Sequence, residues 1–375
     1  MTGLTSLWRR RSQALRRLLA AASPQRRRVE KAIAAPVGCT PLPETGERIR
    51  RYFTGPPALP PPPRPGPQTP TVTVVIPVYN TEAWLDDCLS SVLAQRGVDI
   101  EVVCVNDGST DRSRSVLERY ARQDSRIRIL DQPNSGQSVG RNVGIDAARG
   151  RYLIYLDSDD FWPADGLADL VRRAERDRLD VLMFDGTAFR DGDVPEDIWR
   201  RYATYYLRAR SYRRVRTGAQ MIADMRRARD YRPHLGMYLT RTQAVRQSGV
   251  RFIPGIVHQD NPYTFALLVS ADRVAHTRRC FYARRLRPGS TITALRAQAS
   301  AKGYFLSYLA MSRELATRRY DSRTTHSMDE VVLGVFDSAR QQLSLLPAAA
   351  REEIRSLDLQ PDAQEAFQRL SERSA

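Results

Sequence analysis

Cysteine is scarce in this 375-residue chain: Cys39, Cys88, Cys104 and Cys280 are scattered, without the paired spacing of a metal site or the density of a disulfide scaffold. Cys88 and Cys104 sit among apolar residues, which reads as reduced core thiols of a cytoplasmic protein. Long apolar runs are missing too. None approaches the roughly 18–20 residues that a membrane-spanning helix needs, so a soluble or peripheral protein is expected. Acidic residues are outnumbered, leaving a net charge of +17 and a pI near 10.2. That excess implies an anionic partner, whether nucleic acid, an anionic membrane or a phosphorylated substrate, and does not choose among them.

The shortage of acid is uneven. Residues 1–70 hold thirteen Lys and Arg against Glu30, Glu44 and Glu47, a surplus of ten in less than a fifth of the chain. Leu4, Leu7, Trp8, Leu15, Leu18 and Leu19 recur there at helical spacing, while Arg9, Arg10, Arg16 and Arg17 fall mainly on the other face. Residues 1–35 thus read as a basic amphipathic segment, and residues 3–22 suit the surface of an anionic membrane; a solvated helix or a basic tail fits the same pattern. Arg9, Arg10 and Arg11 argue against a spanning helix or a secretory signal, whereas the absence of acid before Glu30 leaves a cleaved transit peptide open. Residues 36–70 read as a linker. Nine prolines between Gly55 and Pro70 keep it extended and stiff.

What remains is long enough, and with 42% hydrophobic residues in the whole chain apolar enough, to bury a sizeable core. Strand and helix patterns alternate: strands over 72–78, 100–105, 127–131, 151–157 and 180–185, and helices over 82–95, 111–122 and 138–149. That alternation predicts an α/β fold with a mostly parallel, Rossmann-like sheet covered by helices on both faces. Ligands of such sheets bind beyond the carboxyl ends of the strands. A helical C-terminal region is predicted over 296–375, with signals near 303–316, 329–346 and 348–373.

Each strand end carries polar residues, and the densest set is Asp157-Ser158-Asp159-Asp160. Three carboxylates in four residues belong at a solvated rim or around a cation, and hard oxygens of this kind suit Mg²⁺ or Mn²⁺ with diphosphate oxygens and water. An N-cap with an acidic turn is the plain structural alternative.

Four motifs together are more specific. Val74-Val75-Ile76-Pro77-Val78-Tyr79-Asn80, Val105-Asn106-Asp107-Gly108-Ser109-Thr110-Asp111, the stretch from Asn134 to Ile145 and Leu156-Asp157-Ser158-Asp159-Asp160 resemble, in order, the family 2 glycosyltransferases of the GT-A fold, which use nucleotide-sugar donors. The resemblance implies a glycosyltransferase domain over 71–295, with a nucleotide-binding half (71–185) and an acceptor half (186–295). It implies that Pro77, Tyr79 and Asn80 border the base and that Asp107 accepts from the imide of uracil or thymine, which favours a UDP-sugar. Gly136, Gln137, Arg141 and Ser158 would line the donor site, Asp157 would hold ribose or metal, and Asp159 would be the principal metal ligand. Asn134, like Asn142, suits capping as well as donor contact.

The resemblance also implies a general base about a hundred residues after the metal motif, as the Asp of a Glu-Asp pair. Asp260 stands there, but Gln259 replaces the Glu. A neutral amide removes a charge that would raise the Asp260 pKa. A helix-capping role for Asp260 is compatible with catalysis, and His258 suits a metal, diphosphate, structural or acceptor-side role. Arg284-Arg285-Leu286-Arg287-Pro288-Gly289-Ser290-Thr291-Ile292-Thr293 is similar to a loop of bacterial capsule, exopolysaccharide and teichoic-acid transferases of the family. It makes Arg287 and Ser290 donor-side residues, with Arg284 and Arg285 expected as solvated charge.

The last Trp is Trp199, so the Gln-x-x-Arg-Trp motif of processive synthases is lacking and single additions are expected. The resemblance therefore implies a metal-dependent inverting transfer to a glycan, a polyol-phosphate or a lipid-linked acceptor, with the enzyme in the cytoplasm or on the inner membrane face. The Tyr- and Arg-rich stretch 199–216 is a candidate acceptor-side surface. A non-catalytic scaffold on the same fold is the alternative that Gln259 keeps open. No nucleic-acid partner is expected, because no recognisable reading module is present.

Overall fold

The structure, a computed structural model, describes residues 69–290 and 297–371. The basic segment, the proline-rich linker before residue 69, and Thr291 to Thr293 lie outside the described residues. Strand β1 (Val72–Val78) and strand β2 (Ile100–Asp107) are buried at every position, as continuous β-branched runs are when both sheet faces are covered. β3 (Ile127–Gln132) and β4 (Tyr152–Tyr155) follow, joined through helices α1 (Leu85–Leu93), α2 (Ser113–Gln123) and α3 (Gln137–Ala147). β1 pairs in parallel with β2 on one side and β4 on the other, and β2 pairs in parallel with β3. The strand order thus reverses at β1, which opens a crevice beyond the carboxyl ends of β1 and β4.

The second half completes a seven-stranded sheet. α4 (Leu167–Arg176), β5 (Val181–Arg190), α5 (Glu196–Tyr202), α6 (Gly218–Arg227), β6 (Tyr238–Arg241), α7 (Thr242–Ser248), α8 (Asp260–Val269) and β7 (Val274–Leu286) come in that order. The sheet runs β3-β2-β1-β4-β6-β5-β7. β6 is antiparallel to both β4 and β5, while β5 and β7 pair in parallel. The fold is α/β as expected, mostly parallel with one reversed strand. β5 runs past the predicted end at 185, and its register with β7 shifts on both sides of Asp185.

That irregularity accounts for part of the Arg- and Tyr-rich stretch. Arg208 is fully buried, donating to the Phe184 carbonyl at 2.9 Å and to Asp185 at 3.2 Å, and Tyr206 is buried against Tyr282. The reading of 199–216 as a surface fails at Arg208, because the shifted register leaves Asp185 buried and in need of a cation.

The C-terminal region is helical: α9 (Ala297–Ala316), α10 (Ser322–Leu343), α11 (Ala348–Arg355) and α12 (Pro361–Ser371). The signal over 348–373 splits in two because Pro361, which has no N–H to continue a helix, fits only at a start. No helix among the described residues is long and apolar enough to cross a membrane.

α3 lies close on β1. A Cβ built on Gly144 would come 2.2 Å from Cγ1 of Val75, with no room to shift in a fully buried layer. Gly144→Ala is therefore expected to destabilise the fold by about 1–3 kcal/mol in urea unfolding, the usual penalty of overpacking.

Candidate active site

The loops after β1, β2, β3 and β4 converge on a cavity of about 760 Å³. Pro77, Tyr79, Asp107, Asn134, Gly136, Gln137, Arg141, Asp157, Ser158, Asp159, Asp260 and Arg287 all line it, although they span more than two hundred positions. Asn80 and Ser290 do not. Asn80 adopts a left-handed φ of 50° and turns its amide onto the neighbouring loop, accepting from the backbone N–H of Thr110 at 2.8 Å. Ser290 is buried, with its N–H directed to the Arg287 carbonyl at 3.4 Å.

Asp107, at the end of β2, is a loop anchor in this state. One of its oxygens accepts from the Gln132 amide at 2.6 Å and from Ser135 N–H at 2.8 Å; the other accepts from Gly136 N–H at 2.8 Å. Gly136 then starts α3 with φ 88°, a conformation that glycine adopts without steric cost. Asn142 neither caps a helix nor faces the cavity. Its side chain makes two 2.9 Å hydrogen bonds with the Phe252 backbone, fastening α3 to the loop before α8.

The acidic loop after β4 is neutralised from three directions. Asp157 accepts from Arg141 at 2.6 Å, Gln137 at 3.0 Å and Arg284 at 2.7 Å. Burial disfavours its charge, but the two guanidinium groups outweigh burial and hold its carboxyl well below the usual range. Asp159 accepts from Nε and Nη2 of Arg287, at 3.1 and 3.0 Å, while that guanidinium lies 3.7 Å over the Trp84 ring. Asp160 is fully buried, bonded to the Tyr282 hydroxyl, to Arg284 at 2.7 Å and to the N–H of Arg285 at 2.8 Å. Burial pushes its carboxyl upward, Arg284 opposes that, and the neighbouring Asp159 and Asp157 charges add to it.

One oxygen from each of these three carboxylates lies within 4.8 Å of the others, close enough to share a cation. Asp157 and Asp159 fit a hard divalent ion, since both line the cavity. Asp160 does not, because it is fully buried and does not line the cavity.

Asp260 begins α8 and keeps about 26% of its side chain exposed, with Arg141 Nη1 3.8 Å from its oxygen. Burial pushes its carboxyl up to about 6, with Asp157 reinforcing the shift and Arg141 and Arg284 opposing it. Gln259 is buried and links the two sides. Its amide N–H donates to Gln137 Oε1 at 2.8 Å, which leaves the Gln137 N–H for Asp157, and its side-chain carbonyl accepts from the Ser138 hydroxyl. A Glu here would have no N–H to give Gln137. The departure from the Glu-Asp pair thus has a structural use.

Several residues in and around the cavity have roles not expected from the sequence. Arg284 and Arg285 are buried, which overturns the expectation of solvated charge. Successive residues of β7 point to opposite sides, so Arg284 meets Asp157 and Asp160 while Arg285 meets Asp87 at 2.8 Å and Asp191 at 2.6 Å. His234, held neutral by burial with its pKa lowered to about 3, lies 3.3 Å from the Tyr282 hydroxyl. Helix α9 contributes Ala299, Lys302 and Tyr304. The only signal for Arg284 was an arginine pair in a strand of apolar pattern.

Residues 73–240 match the family model described as Glycosyl transferase family 2. A similar relative is the uncharacterized glycosyltransferase EpsJ of Bacillus subtilis, 33% identical over 224 residues, or 59% of this chain. The match spans 62% of that relative's length. Among solved structures, S. aureus TarS 1-349 in complex with UDP-GlcNAc superposes with a TM-score of 0.57 at 18% identity, covering 80% of this chain and 79% of that one. The mannosyltransferase PcManGT of Pyrobaculum calidifontis, in complex with GDP-Man and Mn²⁺, gives 0.50 at 17% identity, covering 82% and 88%. At these identities the two structures establish the fold alone.

Removing Arg284 would leave Asp157 and Asp160 without their shared cation. Arg284→Met is expected to destabilise the protein by about 3–5 kcal/mol in denaturant unfolding, and Arg284→Met with Asp160→Asn to recover part of that loss, as a double-mutant cycle would record.

Proposed function

We propose that the chain carries a family 2 glycosyltransferase domain, a reading supported by the match over residues 73–240, and that it moves one sugar at a time from a UDP-sugar to a hydroxyl of a cell-surface glycan, polymer or lipid-linked acceptor. The observation that supports this reading is that Asp260 shares one cavity with Asp157 and Asp159; burial in addition pushes its carboxyl up to about 6. A carboxylate so tuned is a better proton acceptor near neutrality than an exposed Asp.

The donor's base would lie along Pro77, Tyr79 and Asp107, with its diphosphate facing Asp157, Asp159 and Arg287. A Mg²⁺ or Mn²⁺ ion held by Asp159 and Asp157 would supply neutralisation of diphosphate charge. Arg287 would turn from Asp159 towards the diphosphate, keeping its place over Trp84. The acceptor oxygen attacks the anomeric carbon as the bond from that carbon to the diphosphate oxygen breaks. Asp260 takes the hydroxyl proton, the nucleoside diphosphate leaves, and one displacement inverts the anomeric centre. Gln259, through Gln137, would keep donor and acceptor sides in register. Attachment to the inner membrane face through residues 3–22 is part of the same reading.

Thermal unfolding with UDP-sugars tests the donor site. At 100 times its dissociation constant a ligand stabilises by about 2.7 kcal/mol. We expect that gain to need Mn²⁺ and to vanish in Asp159→Ala; absence of any nucleotide-dependent shift in folded protein would overturn the donor site. Asp260→Asn is expected to keep the gain while transfer falls by roughly 10²–10⁴-fold. In the wild type, kcat/KM should fall about tenfold per unit as pH drops below about 6, because the base must be deprotonated to act. Nucleotide-sugar binding without transfer or hydrolysis would favour the non-catalytic alternative.

A further inference from the structure

Part of the cavity wall is built from helix α9 and the loop before Asp260, both beyond the matched residues 73–240, together with α5 inside them, and it has its own chemistry. Helix α9 docks on the loop that leads into Asp260. A Cβ on Gly303 would fall 2.3 Å from the Val257 carbonyl, so only glycine permits that approach. One residue on, His258 has a left-handed φ of 60°, its ring stacks on Tyr304 at 3.9 Å and 11°, and its Nε2 lies 3.2 Å from the Ser300 hydroxyl. α9 and the base-bearing loop are therefore one unit.

Two cations face the cavity from this wall. Lys302 of α9 and Arg201 of α5 both line it, neither has an ion-pair partner among the described residues, and Glu196 of α5 is taken by Arg190 and Arg200. The cations around the acidic loop differ, since Arg141, Arg284 and Arg287 each hold an Asp carboxylate. Tyr202, Tyr304 and His258 line the cavity with Arg201 and Lys302, Arg201 lying 5.7 Å over the Tyr202 ring and His258 stacked on Tyr304. Unpaired cations beside half-buried aromatic side chains suit a ligand with an apolar ring face and a negative substituent.

We propose that Arg201, Lys302, His258 and Tyr304 form an acceptor subsite for a sugar or polyol unit bearing a phosphate, with the phosphate between Arg201 and Lys302 and the carbon skeleton against the rings. The proposal rests on the glycosyltransferase reading and gives the C-terminal region a part in acceptor choice. Placed two residues before Asp260, the subsite sets an acceptor hydroxyl near the base. Charge selectivity comes from the two cations and positioning from the rings.

The test uses the full chain saturated with UDP and Mn²⁺, so that the donor's own phosphate sites are filled, and titrates methyl glucoside 6-phosphate against methyl glucoside by calorimetry. The phosphorylated sugar should bind about tenfold more tightly than the neutral one, and Lys302→Met or Arg201→Gln should each remove about that factor for the phosphorylated sugar only. Tyr304→Leu should weaken both sugars. UDP affinity should stay unchanged in all three variants, which also shows that they are folded. Equal binding of the two sugars, or a phosphate preference that survives both charge substitutions, would overturn the subsite while leaving the donor site standing. If UDP itself does not bind, the glycosyltransferase reading falls and the subsite falls with it.

Discussion

Asp160 and Arg284 form the buried pair on which the site depends. Three carboxylates whose oxygens lie within 4.8 Å of one another repel by roughly 3–4 kcal/mol per pair at an effective dielectric of about 20. No four-residue turn offsets that by itself. β7 supplies the remedy from more than 120 positions later, placing Arg284 between Asp157 and Asp160 and the Arg285 N–H on the far oxygen of Asp160. The loop is also stitched to β7 through paired backbone hydrogen bonds between Phe161 and Ala283, at 2.9 and 3.3 Å. With Asp160 fixed beneath the surface, Asp157 and Asp159 are left at the cavity wall.

A second consequence is the coupling of the two sides of the cavity. α3 starts at Gly136, which Asp107 holds, and presents Gln137 and Arg141 to Asp157. Arg141 also faces Asp260, and Gln259 joins Gln137, so a hydrogen-bond chain runs from the residue beside Asp260 to a carboxylate of the acidic loop. Such a chain is satisfied only if each amide points one way, which fixes the relative position of both sides. Gln in place of Glu at position 259 suits that polarity.

Much of the first half is legible in the sequence. Continuous β-branched runs mark strands buried on both faces, and the polar clusters at their ends mark the crevice, because local pattern and local chemistry agree there. The same local signals fail in the second half. β6 runs antiparallel, a choice made by pairing partners and not by its four residues. Arg208, Arg284 and Arg285 resemble surface charge because arginine usually is, and only their partners, the buried Asp185 and Asp160 and the half-buried Asp87 and Asp191, explain them.

Residue type and near-neighbour spacing were enough for the strand–helix alternation, the family resemblance and the set of carboxylates available for chemistry. Which charges face the cavity and which are consumed as counter-ions was settled only in the folded chain. So were the bracing of a loop by Asn80 and the place of α9 in the wall beside Asp260. These are long-range matters: whether a carboxylate or guanidinium is available depends on the partner folding brings to it, and those partners lie tens to more than a hundred residues away.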